Sequence, residues 1–148
     1  CACEGREGQR DGLDAVNGFA TYLPQPIGWA STFNPRLIEL AAYWSAREAR
    51  AAGINWTFAP MIDMTRDARW GRIMEGAGED VHLATVAAAA RVAGYHRGGL
   101  ATSAKHFVGY GAAEGGRDYN SVWIPVSQLW DYQIPPFRAA IDAGAFTV

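Results

Sequence analysis

Apolar positions along this chain of 148 residues fall into alternating short and long blocks. Between residues 35 and 52 they recur at helical spacing. Leu37, Ile38, Ala41, Trp44 and Ala49 share one broad face, while Arg36, Glu39, Tyr43, Arg47 and Arg50 line the other. Asn34-Pro35 opens this helix as N-cap and first helical residue, and Gly53 suits the position just past its end. Residues 54–60, INWTFAP, are β-branched and aromatic and stop at a proline, which predicts a strand. Asp80 caps a second predicted helix from about Val81 to Arg97, whose small-residue face (Leu83, Val86, Ala87, Ala90, Gly94) suits close packing on a sheet. Residues 100–108 are a short apolar run entered through Gly98-Gly99 and left through Gly109 and Gly111, the pattern of a buried strand opening into a loop. Ser127 starts a short helix that Pro135-Pro136 interrupts; it resumes to Ala143 and ends at Gly144, and AFTV begins another strand. Strands alternating with helices predict a parallel α/β architecture, barrel or doubly wound, which three strands cannot close.

Two polar stretches stand apart from this alternation. Residues 61–80 run for twenty residues with many charges and three glycines, and residues 112–120 form a second glycine-rich loop. Loops that long in a compact domain are usually functional or disordered, and Arg69, Trp70 and Arg72 argue against disorder. Residues 1–11 read as a polar amino-terminal stub.

Composition narrows the function classes. Hydrophobic residues make up 49% of the chain and charged residues 19%, a globular balance. A net charge of −2 and the lack of a basic stripe give no case for nucleic acid. Cys1 and Cys3 are too close to staple a fold, and no Cys/His spacing suggests a metal. No segment has the apolar length of a membrane span, no signal-peptide core is present, and no phosphate-binding glycine motif follows a strand. No cofactor is expected.

Lys105 and His106 are the chemical surprise, because a buried strand has no local reason to end in a cation and an imidazole. In a parallel barrel, strand C-termini are where polar side chains face a substrate. Asp14, the segment from Asp63 to Arg72, and Lys105, His106 and Arg117 would then meet at one face. A carboxylate that accepts from sugar hydroxyls, cations that donate to the same oxygens, and aromatic rings for the sugar face would suit a polyhydroxylated ligand. The structural alternative pairs Arg69 and Arg72 with Glu75, Glu79 and Asp80, and assigns Glu79-Asp80 to a helix start. Tyr110, Trp56 and Trp70 are expected to pack, and His82 and His96 to lie at the surface. A rival reading makes Lys105 a Schiff-base nucleophile of an aldolase-type barrel.

The segments GLDAVNGFAT, GINWTFAPMIDMTRDARWGRIMEGAGED, ATSAKHFVGYGAAEGGRDYN and PPFRAAIDAGAFTV together resemble glycoside hydrolase family 3, of the periplasmic β-glucosidase type. The resemblance implies that residues 12–148 are a partial TIM-type (β/α)8 barrel domain, truncated at both ends. It implies retaining hydrolysis of terminal β-linked glucose, or sometimes xylose or N-acetylglucosamine, by two carboxyl groups. No acid here matches either motif, so the nucleophile and acid/base are expected beyond Val148 and the isolated chain is expected to be inactive. What matches is the sugar-gripping half. Asp14, Arg72, Lys105 and His106 align with substrate-binding residues, and Arg117 with a loop that varies among relatives. Relatives carry histidine where this chain has Asn17. The expected ligand is a β-glucoside or oligosaccharide, and many relatives are periplasmic or secreted. A non-catalytic sugar-binding or partner-dependent module is the remaining alternative.

Overall fold

The computed structural model describes residues 21–148. It is a helix-rich α/β arrangement: α1 (Pro26–Ala30), α2 (Pro35–Ala51), β1 (Trp56–Thr57), α3 (Val81–Arg97), β2 (Ala101–Thr102), α4 (Val126–Gln128) and α5 (Ile134–Asp142). Helix starts follow the local chemistry. The Asn34 side chain accepts from the Leu37 N–H, and the Asp80 side chain accepts from the Leu83 N–H at 2.7 Å. Gly53 takes φ +86° directly after the Ala52 C-cap.

β1 and β2 are parallel, with Trp56 opposite Ala101 and Thr57 opposite Thr102. Parallel bridges at Met61–Lys105 and Ser103–Thr147 extend the pairing, the latter bringing in the predicted final strand. The register shifts by one residue between Thr57–Thr102 and Met61–Lys105, so β1's continuation carries one extra residue, as in a bulge. Ser103 N–H donates to both Thr57 and Ala59 carbonyls at 3.0 Å across this irregularity. The predicted strand over 54–60 is therefore regular only at Trp56–Thr57.

All the helices with a core face lie against one side of this sheet. Ala59 and Leu100 join Trp29, Ile38, Ala42, Ala46, Ala49, Ala87 and Tyr95 in one core cluster. Ile62 and Ala104 join Ala88, Val92, Phe137 and Ala140 in another. The alternation of a strand leaves Trp56 and Phe58 on the opposite face, 48% and 50% exposed and edge to face at 4.6 Å. Trp56 is thus not the packing residue expected of it within the described residues.

The helix pair α2–α3 corrects the predicted face. Ile38, Ala42, Ser45, Ala46 and Ala49 are buried, while Leu37 and Trp44 are exposed. On α3 the buried set is Ala84, Ala87, Ala88, Arg91, Val92, Gly94 and Tyr95, so Leu83, Val86 and Ala90 flank the contact and only partly share it. The reason is proximity: a Cβ on Gly94 would strike the Glu39 carbonyl and come within 2.7 Å of the Ala42 Cβ. Small residues, not large ones, select the interface.

Two further expectations are revised. Pro135-Pro136 does not interrupt a helix; a π turn over Leu129–Gln133 leads into α5, and the prolines occupy its first turn, where no N–H is required. His96 is half-buried rather than superficial, with Nε2 3.0 Å from Thr102 Oγ1 beneath the sheet.

Candidate functional site

The site lies where the two strand continuations end. Pairing of Met61 with Lys105 places the segment after β1 beside His106. Arg91, buried in the middle of α3, donates from Nη1 to the Met61 carbonyl at 2.8 Å and so ties this strand end to the helix layer. The long loop after β1 is ordered by burial, with Asp63, Met64, Thr65, Trp70 and Glu75 all nearly inaccessible. Residues 109–119 close over it. Gly111 approaches the backbone of Met64, and Gly116, at φ +67°, sits so close that a Cβ would lie 2.6 Å from the Trp70 nitrogen. Any side chain there would prise the two loops apart.

Four side chains form a continuous chain of polar contacts. The Glu75 carboxylate accepts from Arg72 Nε at 2.7 Å and from Nη2 at 2.8 Å, a bidentate fork in which Glu75's side chain is 5% exposed. Arg72 Nη1 lies 3.2 Å from His106 Nε2. On the other ring nitrogen, His106 Nδ1 lies 2.7 Å from Asp63 Oδ2, which also accepts from the His106 backbone N–H at 2.9 Å. Asp63's side chain is fully inaccessible. Tyr110 completes the wall. Its ring meets the His106 ring edge to face at 4.7 Å and the Trp70 ring at 5.2 Å, and the Arg72 guanidinium lies 5.6 Å from its centroid. The Tyr110 hydroxyl donates to Asp118.

Electrostatics follow from these pairings. Glu75 pushes the Arg72 guanidinium above its ordinary range, so it stays charged. Burial holds the Lys105 ammonium below its ordinary range, and repulsion from Arg72 adds to this. Two buried carboxylates, Asp63 and Glu75, thus stand behind two cations and an imidazole. The exposed direction is left to groups that donate to, or accept from, hydroxyl oxygens.

Of the residues expected at the site, Arg72 and His106 are in direct contact and Lys105 is close enough to feel the Arg72 charge. Arg117 is exposed, and its backbone donates to the Glu114 carbonyl and accepts from the Asn120 N–H. Asp14 lies outside the described residues. The structural alternative holds for Arg72–Glu75; Arg69 instead pairs with Asp67, at the surface. Trp70 is packed, 1% exposed. Sequence reasoning placed Asp63 at the start of the segment on this face but gave it no role. Its only signal was an acid directly after a buried strand, and its partner lies 43 residues away. Among the described residues no group of three or more His, Cys, Asp or Glu is placed to hold a metal ion, and no helix is long and apolar enough to cross a membrane.

Cations, an imidazole and aromatic rings are thus gathered at the strand ends of an α/β domain. Residues 6–148 match the glycosyl hydrolase family 3 N-terminal domain, and the chain belongs to that family. It is 40% identical over 141 residues to the periplasmic beta-glucosidase of Salmonella typhimurium, covering 91% of this chain and 18% of that protein. It is 36% identical over 154 residues to the lysosomal beta glucosidase of Dictyostelium discoideum, covering 93% and 19%. Crystal structures of a β-glucosidase from Listeria innocua, in complex with isofagomine and with glucose, superpose with a TM-score of 0.85 at 39% identity, each covering 90% of this chain and 20% of theirs. The chain therefore spans about a fifth of the length of these relatives.

Proposed function

We propose that residues 12–148 supply the sugar-binding part of a β-glucosidase site, with Arg72, Lys105 and His106 as its donor and acceptor set and Asp14 and Arg117 as further contacts. The single observation that carries this reading is the polar chain Glu75–Arg72–His106–Asp63, in which Arg72 and His106 are each held by a buried carboxylate. Such a wall holds its donors and acceptor in place before a ligand arrives. Glucose in the Listeria innocua complex supports the choice of ligand class.

On this reading the three parallel strand segments belong to an eight-stranded barrel. Support comes from the one-sided helix layer and from Trp56 and Phe58 on the other face, which further barrel strands would cover. The reaction is retaining hydrolysis of a β-linked terminal glucose. Its nucleophile and acid/base come from outside residues 21–148, because the acids that reach the site are engaged with Arg72, His106 and Tyr110. Contacts to the ring hydroxyls tighten as the sugar flattens toward its oxocarbenium-like state, so the grip contributes to rate as well as binding. Export is part of the proposal, after the periplasmic location in the Salmonella relative's name.

The test is β-glucoside hydrolysis by the protein at the length found in its source cells, followed by proton NMR. The expected first product is β-glucose, and Arg72→Met or Lys105→Met is expected to lower kcat/KM by about a hundredfold or more, the loss of charged hydrogen bonds in the transition state. Normal hydrolysis in both variants would refute the assigned grip. Borohydride trapping of a keto substrate on Lys105 would instead favour the aldolase chemistry.

A further inference from the structure

The hydrogen-bond pattern around His106 fixes more than its position. An arginine only donates, so the 3.2 Å contact from Arg72 Nη1 makes Nε2 of His106 an acceptor. The ring hydrogen then sits on Nδ1 and is donated to Asp63 Oδ2 at 2.7 Å. Because that same oxygen also accepts from the His106 backbone N–H at 2.9 Å, the carboxylate clamps the ring to its own main chain and leaves it one orientation. Asp63 is inaccessible to solvent, so no water competes for this role. The imidazole is therefore presented with its Nε2 lone pair toward Arg72 and the open side of the site, where His106's side chain is 32% exposed.

We propose that Asp63 is a positioning residue that makes His106 a hydrogen-bond acceptor, so that Arg72 and His106 together read one hydroxyl of the ligand. This rests on the sugar-binding reading given above. A hydroxyl that displaces their direct 3.2 Å contact accepts from Arg72 Nη1 through its oxygen and donates its own hydrogen to His106 Nε2. Only a group that donates and accepts at one atom satisfies both partners, which a fluorine, an ether oxygen or a carbonyl does not. Without Asp63 only Arg72 would hold the tautomer; once a hydroxyl displaced that contact, the imidazole would be free to carry its hydrogen on Nε2 and the hydroxyl would face two donors. Selectivity for a free hydroxyl would then be lost along with affinity.

The test is nitrogen-15 NMR of histidine-labelled protein at the length found in its source cells, with the His106 signals assigned by their loss in His106→Gln. The expected spectrum at neutral pH has Nδ1 protonated and Nε2 unprotonated, both free and with saturating glucose. Asp63→Asn keeps a carbonyl acceptor and is expected to retain that tautomer. Asp63→Leu is expected to release it under saturating glucose, where Arg72 no longer holds Nε2, and to weaken glucose by at least about tenfold, the scale of one buried hydrogen bond. Protonated Nε2 in the wild-type protein, free or glucose-bound, would overturn the proposal even if Asp63→Leu does not fold. So would an unchanged tautomer and glucose affinity in Asp63→Leu. Absence of glucose binding in the wild-type protein would count against the sugar reading alone, since the tautomer of the free protein is judged separately.

Discussion

The helix side of the sheet and its loop end are held together by opposite materials. Between α2 and α3, contact is made by Ala42, Ala46, Gly94 and Gly98, and the two backbones approach until a single methyl would not fit. At the loop end, cohesion comes from buried charge: Asp63 behind His106, Glu75 behind Arg72, and Arg91 under Met61. The first region depends on what is missing from its side chains. The second depends on these charged groups keeping their partners, because losing one partner costs more than the pair returns when both are present. Close apolar packing and buried charge pairing are therefore separated in space. The helix layer can tolerate no added volume, and the loop end can tolerate no deleted buried charge.

The sharpest way to break this division is Gly94→Leu. A leucine gains about 1 kcal/mol of intrinsic helix propensity over glycine. The Glu39 carbonyl and Ala42 Cβ stand in its path, and neither is a flexible side-chain end that can swing aside. Overpacking against backbone costs about 3 kcal/mol or more and decides the sign. Urea denaturation is expected to show a lower midpoint with the slope unchanged. A midpoint equal to wild type would mean that the helices are not pressed together as described.

On the charged side, Arg72→Met strands the Glu75 carboxylate in a buried position. The expected loss is roughly 3 kcal/mol, a single broken buried pair. Removing both partners, as Arg72→Met with Glu75→Leu, is expected to recover most of that stability while ligand binding stays lost. A double-mutant cycle measures the difference. If the double variant is no more stable than Arg72→Met, the carboxylate is not the source of the penalty.

How much of this was legible in the sequence depended on the range of the interaction. Asn34, Gly53 and Asp80 announce helix ends because a cap needs only neighbours three residues away. Lys105 and His106 announce a site because they are improbable at a buried strand end. The face of α2 was misjudged because large side chains, Leu37 and Trp44, were given the core, whereas the nearness of Gly94 selects alanines; that contact joins residues far apart in the chain. The one-residue register shift before Met61 and the role of Asp63 are long-range in the same way, and no periodicity reports them. The parallel alternation of strand and helix was readable, as the Ser103–Thr147 bridge attests.

Lys105 offers a pH-resolved comparison of the two regions. Burial lowers its pKa below 10.5, so between its folded value and 10.5 the unfolded chain binds more protons than the native one. Stability therefore rises with pH across that window, relative to a variant lacking the group. Wild type is expected to gain on Lys105→Met as pH is raised from 7 toward 10. Chemical denaturation of both proteins in parallel reads the difference, and groups common to both cancel. A constant difference across the range would show that Lys105 is not desolvated. Asn34→Ala, in the helix layer, is expected to cost about 1 kcal/mol at every pH in this range, since a neutral cap does not titrate.

The smallest effect is expected at Asp67–Arg69, where the loop end reaches open solvent. Arg69 donates to both Asp67 oxygens from its side chain and to one from its backbone, and these contacts hold the carboxyl down at about 2 against an ordinary 3.8. By linkage, whatever stability the pair adds is complete above about 3.8 and lost as pH falls toward 2. The pair is solvent-exposed, so screening removes most of the energy that such a shift would represent in a buried site. Two measurements separate the quantities. Carbon-13 titration of Asp67 is expected to move up toward 3.8 in Arg69→Gln, while the unfolding midpoint of that variant at pH 7 stays at the wild-type value. If Arg69→Gln were as costly at pH 7 as Arg72→Met, charge pairs would stabilise this end of the molecule wherever they stand. The contrast with the buried Arg72–Glu75 fork would then collapse, because burial, and not pairing alone, is what makes the loop end intolerant of deletion.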